Sequence, residues 1–177
     1  VYCTLSRIGL EQWTLSNGNL EISGASDNQM VVGTMHSNAG YYECKIAAPN
    51  GGTGKGIRLG LCKVDGGHAI SYSGISGNSG DLERFIGFQN SGGGYKAIYN
   101  NGYSVTDFGG TSNANDIMQV AWKGGKVWYG VNGTWLGSGD PSAGTNHVDT
   151  LPSGSMYAPA VISSLDGADG AKLNFGN

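Results

Sequence analysis

The stretch "DIMQVAWKGGKVWYGVNGTWLGSGDP", Asp116 to Pro141, carries two turn signals and three of the chain's four tryptophans. Asn132-Gly133 is a strong hairpin signal, because a type I′ turn needs φ > 0 at both central residues. Gly124-Gly125, between Lys123 and Lys126, suits a similar two-residue turn. Two such turns fix the register by counting. Trp122 is set opposite Val127, Ala121 opposite Trp128, Val131 opposite Thr134, Tyr129 opposite Leu136 and Trp128 opposite Gly137.

Side chains alternate between the faces of a strand, so this register sorts the residues into two sets. Met118, Val120, Trp122, Val127, Tyr129, Val131, Thr134 and Leu136 form a nearly continuous apolar set and are expected to face a core. Gln119, Ala121, Lys123, Lys126, Trp128, Gly130, Trp135 and Gly137 fall on the opposite face. Indoles there would lie over glycines, supplying packing that glycine lacks. An open pair of tryptophans would be an association hazard. The expectation is therefore that the segment from Gly137 to Thr150 folds over Trp128 and Trp135, the alternative being a ligand.

The same pattern repeats along the chain. "EQWTLS", "NLEIS", "QMVVGTM", "GYYECKIA", "GIRLGLCK", "ERFIGFQ", "YKAIYN", "YSVTDF", "DIMQVAWK", "KVWYGV", "TWLG", "YAPAVIS" and "AKLNFG" read as short strands bounded by turn residues. No window carries a helical apolar stripe. Thirteen short strands predict an all-β fold, either two antiparallel sheets face to face or a closed barrel, and the sandwich is preferred. At 177 residues the chain fits a single domain, residues 1–177. Its start at Val1 suggests a processed product or a piece of something longer.

Composition narrows the function classes. The 33 glycines follow no Gly-X-Y period and prolines number only 4, which excludes collagen and a disordered linker. A net charge of -3 with no basic cluster argues against nucleic acid or an anionic membrane as partner. No apolar run reaches the length of a membrane span or a signal peptide. Cys3, Cys44 and Cys62 read as reduced core thiols, with a Cys44–Cys62 bridge as the alternative.

At this point a family resemblance enters. "GYYECKI" followed by "GIRLGLC" resembles the strand pair that begins the core of SPRY domains. "DIMQVAWKGGKVWYGVNGTWLGSG" resembles that family's signature hairpin, and "YAPAVISS" with "KLNFG" its closing strands. The matches run in the family's order over about residues 13 to 177. They imply a bent antiparallel β-sandwich of the concanavalin-like jelly-roll type, with the family's core aromatic at Tyr129 and its Leu-Gly at Leu136-Gly137. Two departures stand out: Met118-Gln119 occupies the place of an expected glycine, and Ala121-Trp122-Lys123 replaces an Asp-Leu-Asp segment. The Trp-rich hairpin with its trailing "GSGDPSAGTN" looks like SPRY-like modules of bacteriophage and environmental viral proteins.

Catalytic patterns are absent from the sequence. "GGTGKG" at Gly51–Gly56 fails the phosphate-loop pattern at both ends and precedes a strand. Glu11, Glu21, Glu43 and Glu83 are widely spread, whereas glycoside hydrolysis needs two carboxylates across one bond. No Gly-x-Ser-x-Gly is present, and His36, His68 and His147 lack metal-ligand spacing. "DGADG" at Asp166–Gly170 and "DGG" at Asp65–Gly67 read as plain turns. The chain is expected not to be an enzyme and to need no cofactor or metal.

The SPRY resemblance implies recognition through loops at one end of the sandwich. The candidate loops are Asp65–Asp81 and Asn90–Tyr95, joined by Asn101–Tyr103. Tyr72, Asp81, Arg84, Tyr95, Tyr99 and Tyr103, together with Trp128 and Trp135, are the candidate ligand-binding residues. Tyrosine and arginine dominate recognition hot spots, and aromatic faces also stack on sugars. The leading expectation is a non-catalytic module on a virus particle, on a tail fibre or the capsid exterior, binding a host-surface glycan or a neighbouring virion or host protein. The alternative is a cytoplasmic peptide-binding adaptor of the standard SPRY kind, and behind it a glycan-processing enzyme acting through Asp81.

Overall fold

The computed structural model of the 177-residue chain describes residues 3–5, 14–23, 29–46, 57–64, 85–91, 94–98, 105–110, 113–151, 154, 156–163 and 170–176. These residues form two antiparallel sheets. In chain order the strands are β1 (Thr14–Ser16), β2 (Glu21–Ser23), β3 (Gln29–Val32), β4 (Ala39–Ile46), β5 (Ile57–Val64), β6 (Phe85–Ser91) and β7 (Gly94–Ile98). They continue as β8 (Val105–Asp107), β9 (Ile117–Lys123), β10 (Lys126–Val131), β11 (Thr134–Trp135), β12 (Asp149–Thr150), β13 (Met156–Ser163) and β14 (Ala171–Asn174).

The larger sheet runs β1-β2-β14-β4-β9-β10-β11, with β12 also paired to β10, and the smaller runs β3-β13-β5-β6-β7-β8. All thirteen strands expected from the sequence are present, and the architecture is the β-sandwich, with no α-helix among the described residues. One strand escaped the reading. β12 is two residues long, too short to show an alternation.

Strand periodicity builds the core. On β4, Tyr42, Cys44 and Ile46 point inward and are fully buried, while Tyr41 and Lys45 are exposed between them. Met118, Val120, Trp122, Val127 and Tyr129 are likewise buried in one cluster with Ile57, Leu59, Leu61 and Val161 of the opposite sheet. Tyr42 ties the sheets directly. Its hydroxyl lies between the carbonyls of Gly60 on β5 and Ala160 on β13, able to donate to either, the latter at 2.9 Å. Its ring stacks on Phe175 at 5.7 Å and meets Trp122 edge-on. Burial pushes its phenol well above the usual tyrosine range.

All three cysteines are free thiols. Cys44 belongs to the core cluster, whereas Cys62 follows the inward-facing Leu61 and so points to the other side of β5. That divergence leaves no bridge between them. Burial alone drives the Cys44 thiol up to about 12.

The hairpin register is the counted one through its first two strands and turn. Trp122 pairs with Val127, Ala121 with Trp128, and Gly130 with Trp135. Gly124, Gly125, Asn132 and Gly133 all have positive φ, as type I′ turns require. The expected pairs Tyr129–Leu136 and Trp128–Gly137 do not form. β11 ends at Trp135, and Leu136–Ser138 makes a 3-10 turn in which Gly137 and Ser138 sit at φ 62° and 58°. Left-handed residues cannot continue an extended strand. The chain therefore peels off the ladder after two pairs.

Candidate ligand-binding face

Past the 3-10 turn, the chain curls back over the outer face of β10 and covers Trp128. The indole is 1% exposed and donates from Nε1 to the Thr145 carbonyl at 2.7 Å. Gly139 lies against it so closely that a Cβ there would come within 2.9 Å of the ring. The covering segment is fastened on both sides. Lys126 Nζ donates to the Gly144 carbonyl at 2.8 Å, Val148 N to Val127 O at 2.9 Å, and β12 pairs with the near end of β10. Within the segment, Asp140 accepts from the backbone N–H groups of Ser142 and Ala143 and from the Ser142 hydroxyl. These bonds hold its carboxyl below the ordinary range. Trp128 therefore presents no surface to a ligand.

Trp135 has a different surrounding. Its indole occupies the space above Gly130, where an added Cβ would be 3.0 Å from the ring. It meets the ring of Tyr41 edge-on at 6.2 Å. Tyr41 is 38% exposed and Trp135 half-buried, so the pair forms an aromatic platform with an open side.

A polar row runs beside this platform. The ladders of β14, β4, β9, β10 and β11 place Asn174, Glu43, Gln119, Gly130 and Trp135 in line across the outer face. Gln119 is 7% exposed, and both its amide hydrogens are engaged. Its Nε2 donates to Tyr41 Oη at 2.6 Å and Glu43 Oε1 at 3.2 Å, and its Oε1 accepts from Gly133 N at 2.6 Å. The Tyr41 hydroxyl in turn donates to Glu43 Oε1, and Asn174 Nδ2 donates to Glu43 Oε2 at 3.3 Å. Desolvation, with the Glu43 hydrogen bond second, raises the Tyr41 phenol to about 12. The hairpin turn, the platform and the carboxylate thus belong to one network, joined by Gln119.

Next to Tyr41, a cleft of about 310 Å³ opens among Met35, His36, Gly40, Trp122, Pro159 and Phe175. Its floor depends on a second tryptophan–glycine pair. Trp122 packs across Gly40, where a Cβ would come within 2.4 Å of the indole.

Of the residues expected from the sequence, Tyr72, Asp81, Arg84, Tyr99 and Tyr103 lie outside the described residues, as do the loops 65–81 and 101–103. Tyr95 lies on β7 opposite Asn90 of β6. Trp128 and Trp135 share a face but not an environment. The expected cover seals Trp128, and Trp135 pairs with Tyr41. Tyr41, Glu43, Gln119 and Asn174 were not among the candidate binding residues expected from the sequence. On β4, Tyr41 and Glu43 alternate with the buried Tyr42 and Cys44, and nothing local in the sequence announced that β4 would pair with β9.

No protein-family model matches the chain, and no curated protein matches it. Solved structures do. The TRIM65 PSpry domain is 12% identical, with 97% of this chain and 89% of that chain covered at a TM-score of 0.61. The SPRY domain of human HERC1 is 13% identical over 93% of each chain at a TM-score of 0.57. The carbohydrate-binding module CBM66 from Bacillus subtilis is 12% identical, with 97% of this chain and 91% of that chain covered at a TM-score of 0.53. At these identities the likeness establishes the fold, a SPRY-like β-sandwich.

Proposed function

We propose that the chain is a non-catalytic binding module that holds a glycan on the outer face of its larger sheet. The carrying observation is the Tyr41–Trp135 platform beside the hydrogen-bonded Gln119–Glu43–Asn174 row. Sugar rings present apolar C–H faces to aromatic rings and hydroxyls to carboxylates and amides, and this surface offers both. Hydrolysis would need a second carboxylate across the scissile bond. Among the described residues, Glu43 is the one carboxylate bonded to Tyr41, Gln119 and Asn174, while Asp116 is buried beneath the turn and bonded to Asn132. That a carbohydrate-binding module shares the fold supports the reading.

On this proposal the module sits on the exterior of a virus particle, a tail fibre or capsid, and its ligand is a host-surface glycan. The Trp-rich hairpin and the "GSGDPSAGTN" that follows it support that placement. Glycan-array binding lost in both Tyr41→Ala and Trp135→Ala is the expected result. Glycan binding that survives both changes overturns the assignment of the face.

The 310 Å³ cleft favours a second reading, in which the module anchors an apolar side chain of a protein partner. The volume is at the small end of ligand pockets, about 300 Å³ and upward. Loss of peptide capture in Met35→Glu, with Trp135→Ala unaffected, would favour this second reading over the first.

A further inference from the structure

Resting on the glycan-binding reading above, we infer that Glu43 and Asn174 make the face selective for neutral sugars with two adjacent hydroxyls and exclude acidic ones. A carboxylate offers about four lone-pair positions, two on each oxygen. Oε1 of Glu43 is filled by the Tyr41 hydroxyl and by Gln119 Nε2. Oε2 receives one bond, from Asn174 Nδ2. Asn174 uses its Oδ1 on the Gly176 N–H at 3.0 Å, and one of its two amide hydrogens on Glu43. Among the described residues this leaves one acceptor position on Glu43 Oε2 and one N–H on Asn174, side by side, besides a second lone pair on Asn174 Oδ1. Both amide hydrogens of Gln119 are used, on Tyr41 Oη and Glu43 Oε1. One hydroxyl can donate to the carboxylate while its neighbour accepts from the amide, which is the pattern of a vicinal diol.

Charge supplies the exclusion. Among the described residues no cation pairs with Glu43, since Lys172, in the neighbouring row, bonds Glu21 at 2.9 Å. Lys45 lies two residues beyond Glu43 on β4, on the side away from Tyr41. Along a strand rising ~3.4 Å per residue, Glu43 stands roughly 7 Å from the Tyr41 position and Lys45 roughly twice as far. A ring stacked on the platform therefore meets the carboxylate first. Gln119 and the Tyr41 hydroxyl both bond Glu43 Oε1 and so hold the carboxylate beside the platform.

The test uses matched pairs that differ only in oxidation at C6: methyl β-glucoside against methyl β-glucuronide, and the galactose pair likewise. Binding is measured by titration calorimetry with the whole chain. The uronides should bind about tenfold more weakly at low salt, and the gap should narrow as salt screens the charge. Glu43→Gln should bring the ratio close to one, and Asn174→Ala should weaken the neutral glycosides without changing the ratio. If wild-type protein binds uronide and glycoside equally, or if Glu43→Gln keeps the discrimination, this selectivity is wrong while the glycan face stands. If none of the four sugars binds and array binding is also absent, the glycan face and the selectivity fall together.

Discussion

Trp135 and Gly130 face each other across β10 and β11, and the indole occupies the volume that any larger residue at 130 would need. A Cβ at that position would lie 3.0 Å from the ring and 3.1 Å from the Thr134 carbonyl oxygen. The second neighbour is backbone and cannot swing away, so the ring must yield. Gly130→Ala is expected to cost about 1–3 kcal/mol as an overpacking change. It should also push Trp135 off Tyr41 and reduce glycan binding more than it reduces stability. Urea denaturation and tryptophan emission would read both effects. A substitution that leaves stability and emission unaltered would show that the indole does not lie over the glycine.

The Asn132-Gly133 turn is held by more than its dihedral angles. Asn132 Nδ2 donates to Asp116 Oδ1 at 2.8 Å, its Oδ1 accepts from the Ile117 N–H at 2.8 Å, and Asp116 is only 7% exposed. Asn132→Ala removes a donor to a buried carboxylate and an acceptor for a strand N–H, and should cost about 1–3 kcal/mol. Gly133 has φ 82°, so Gly133→Val should cost roughly 1–2 kcal/mol through backbone strain. Chevron or equilibrium denaturation that finds Gly133→Val neutral would contradict the left-handed turn.

Most of the architecture was legible because its determinants are local. Alternation in "GYYECKI" and "KVWYGV" marks strands and their inward faces, and two left-handed dipeptides set the register of β9, β10 and β11. The reading failed where the deciding contact was not local. That the chain leaves the ladder at Leu136 follows from Gly137 and Ser138 going left-handed, and serine gives no signal of that. The separate fates of Trp128 and Trp135 depend on Gly139 and Thr145 packing on one, and on Tyr41 reaching the other from β4. The candidate face was partly visible as the outward set Gln119, Gly130 and Trp135. Its carboxylate and its second aromatic came from a strand more than seventy residues earlier in the chain, joined through the Glu43–Gln119 pair.

Tyr41 gives the face a signature in alkaline solution. Its phenol is raised from 10.0 to about 12, first by desolvation and then by the hydrogen bond it donates to Glu43, which a phenolate would repel. The sign follows from proton binding. Between these two values the unfolded chain has lost the proton and the folded chain keeps it, so folding is favoured by acid and opposed by base in that window. The contribution is complete below about pH 10 and vanishes as the pH climbs to about 12. Tyr42 is buried and displaced in the same direction, so the global unfolding curve alone would mix the two. Tyr41→Phe separates them. The tyrosinate absorbance of wild type minus that of Tyr41→Phe should titrate with a midpoint near 12, and glycan binding should decline over the same range. A difference curve centred near 10 would show that Tyr41 is neither desolvated nor bonded to Glu43, and the network beside the platform would have to be redrawn.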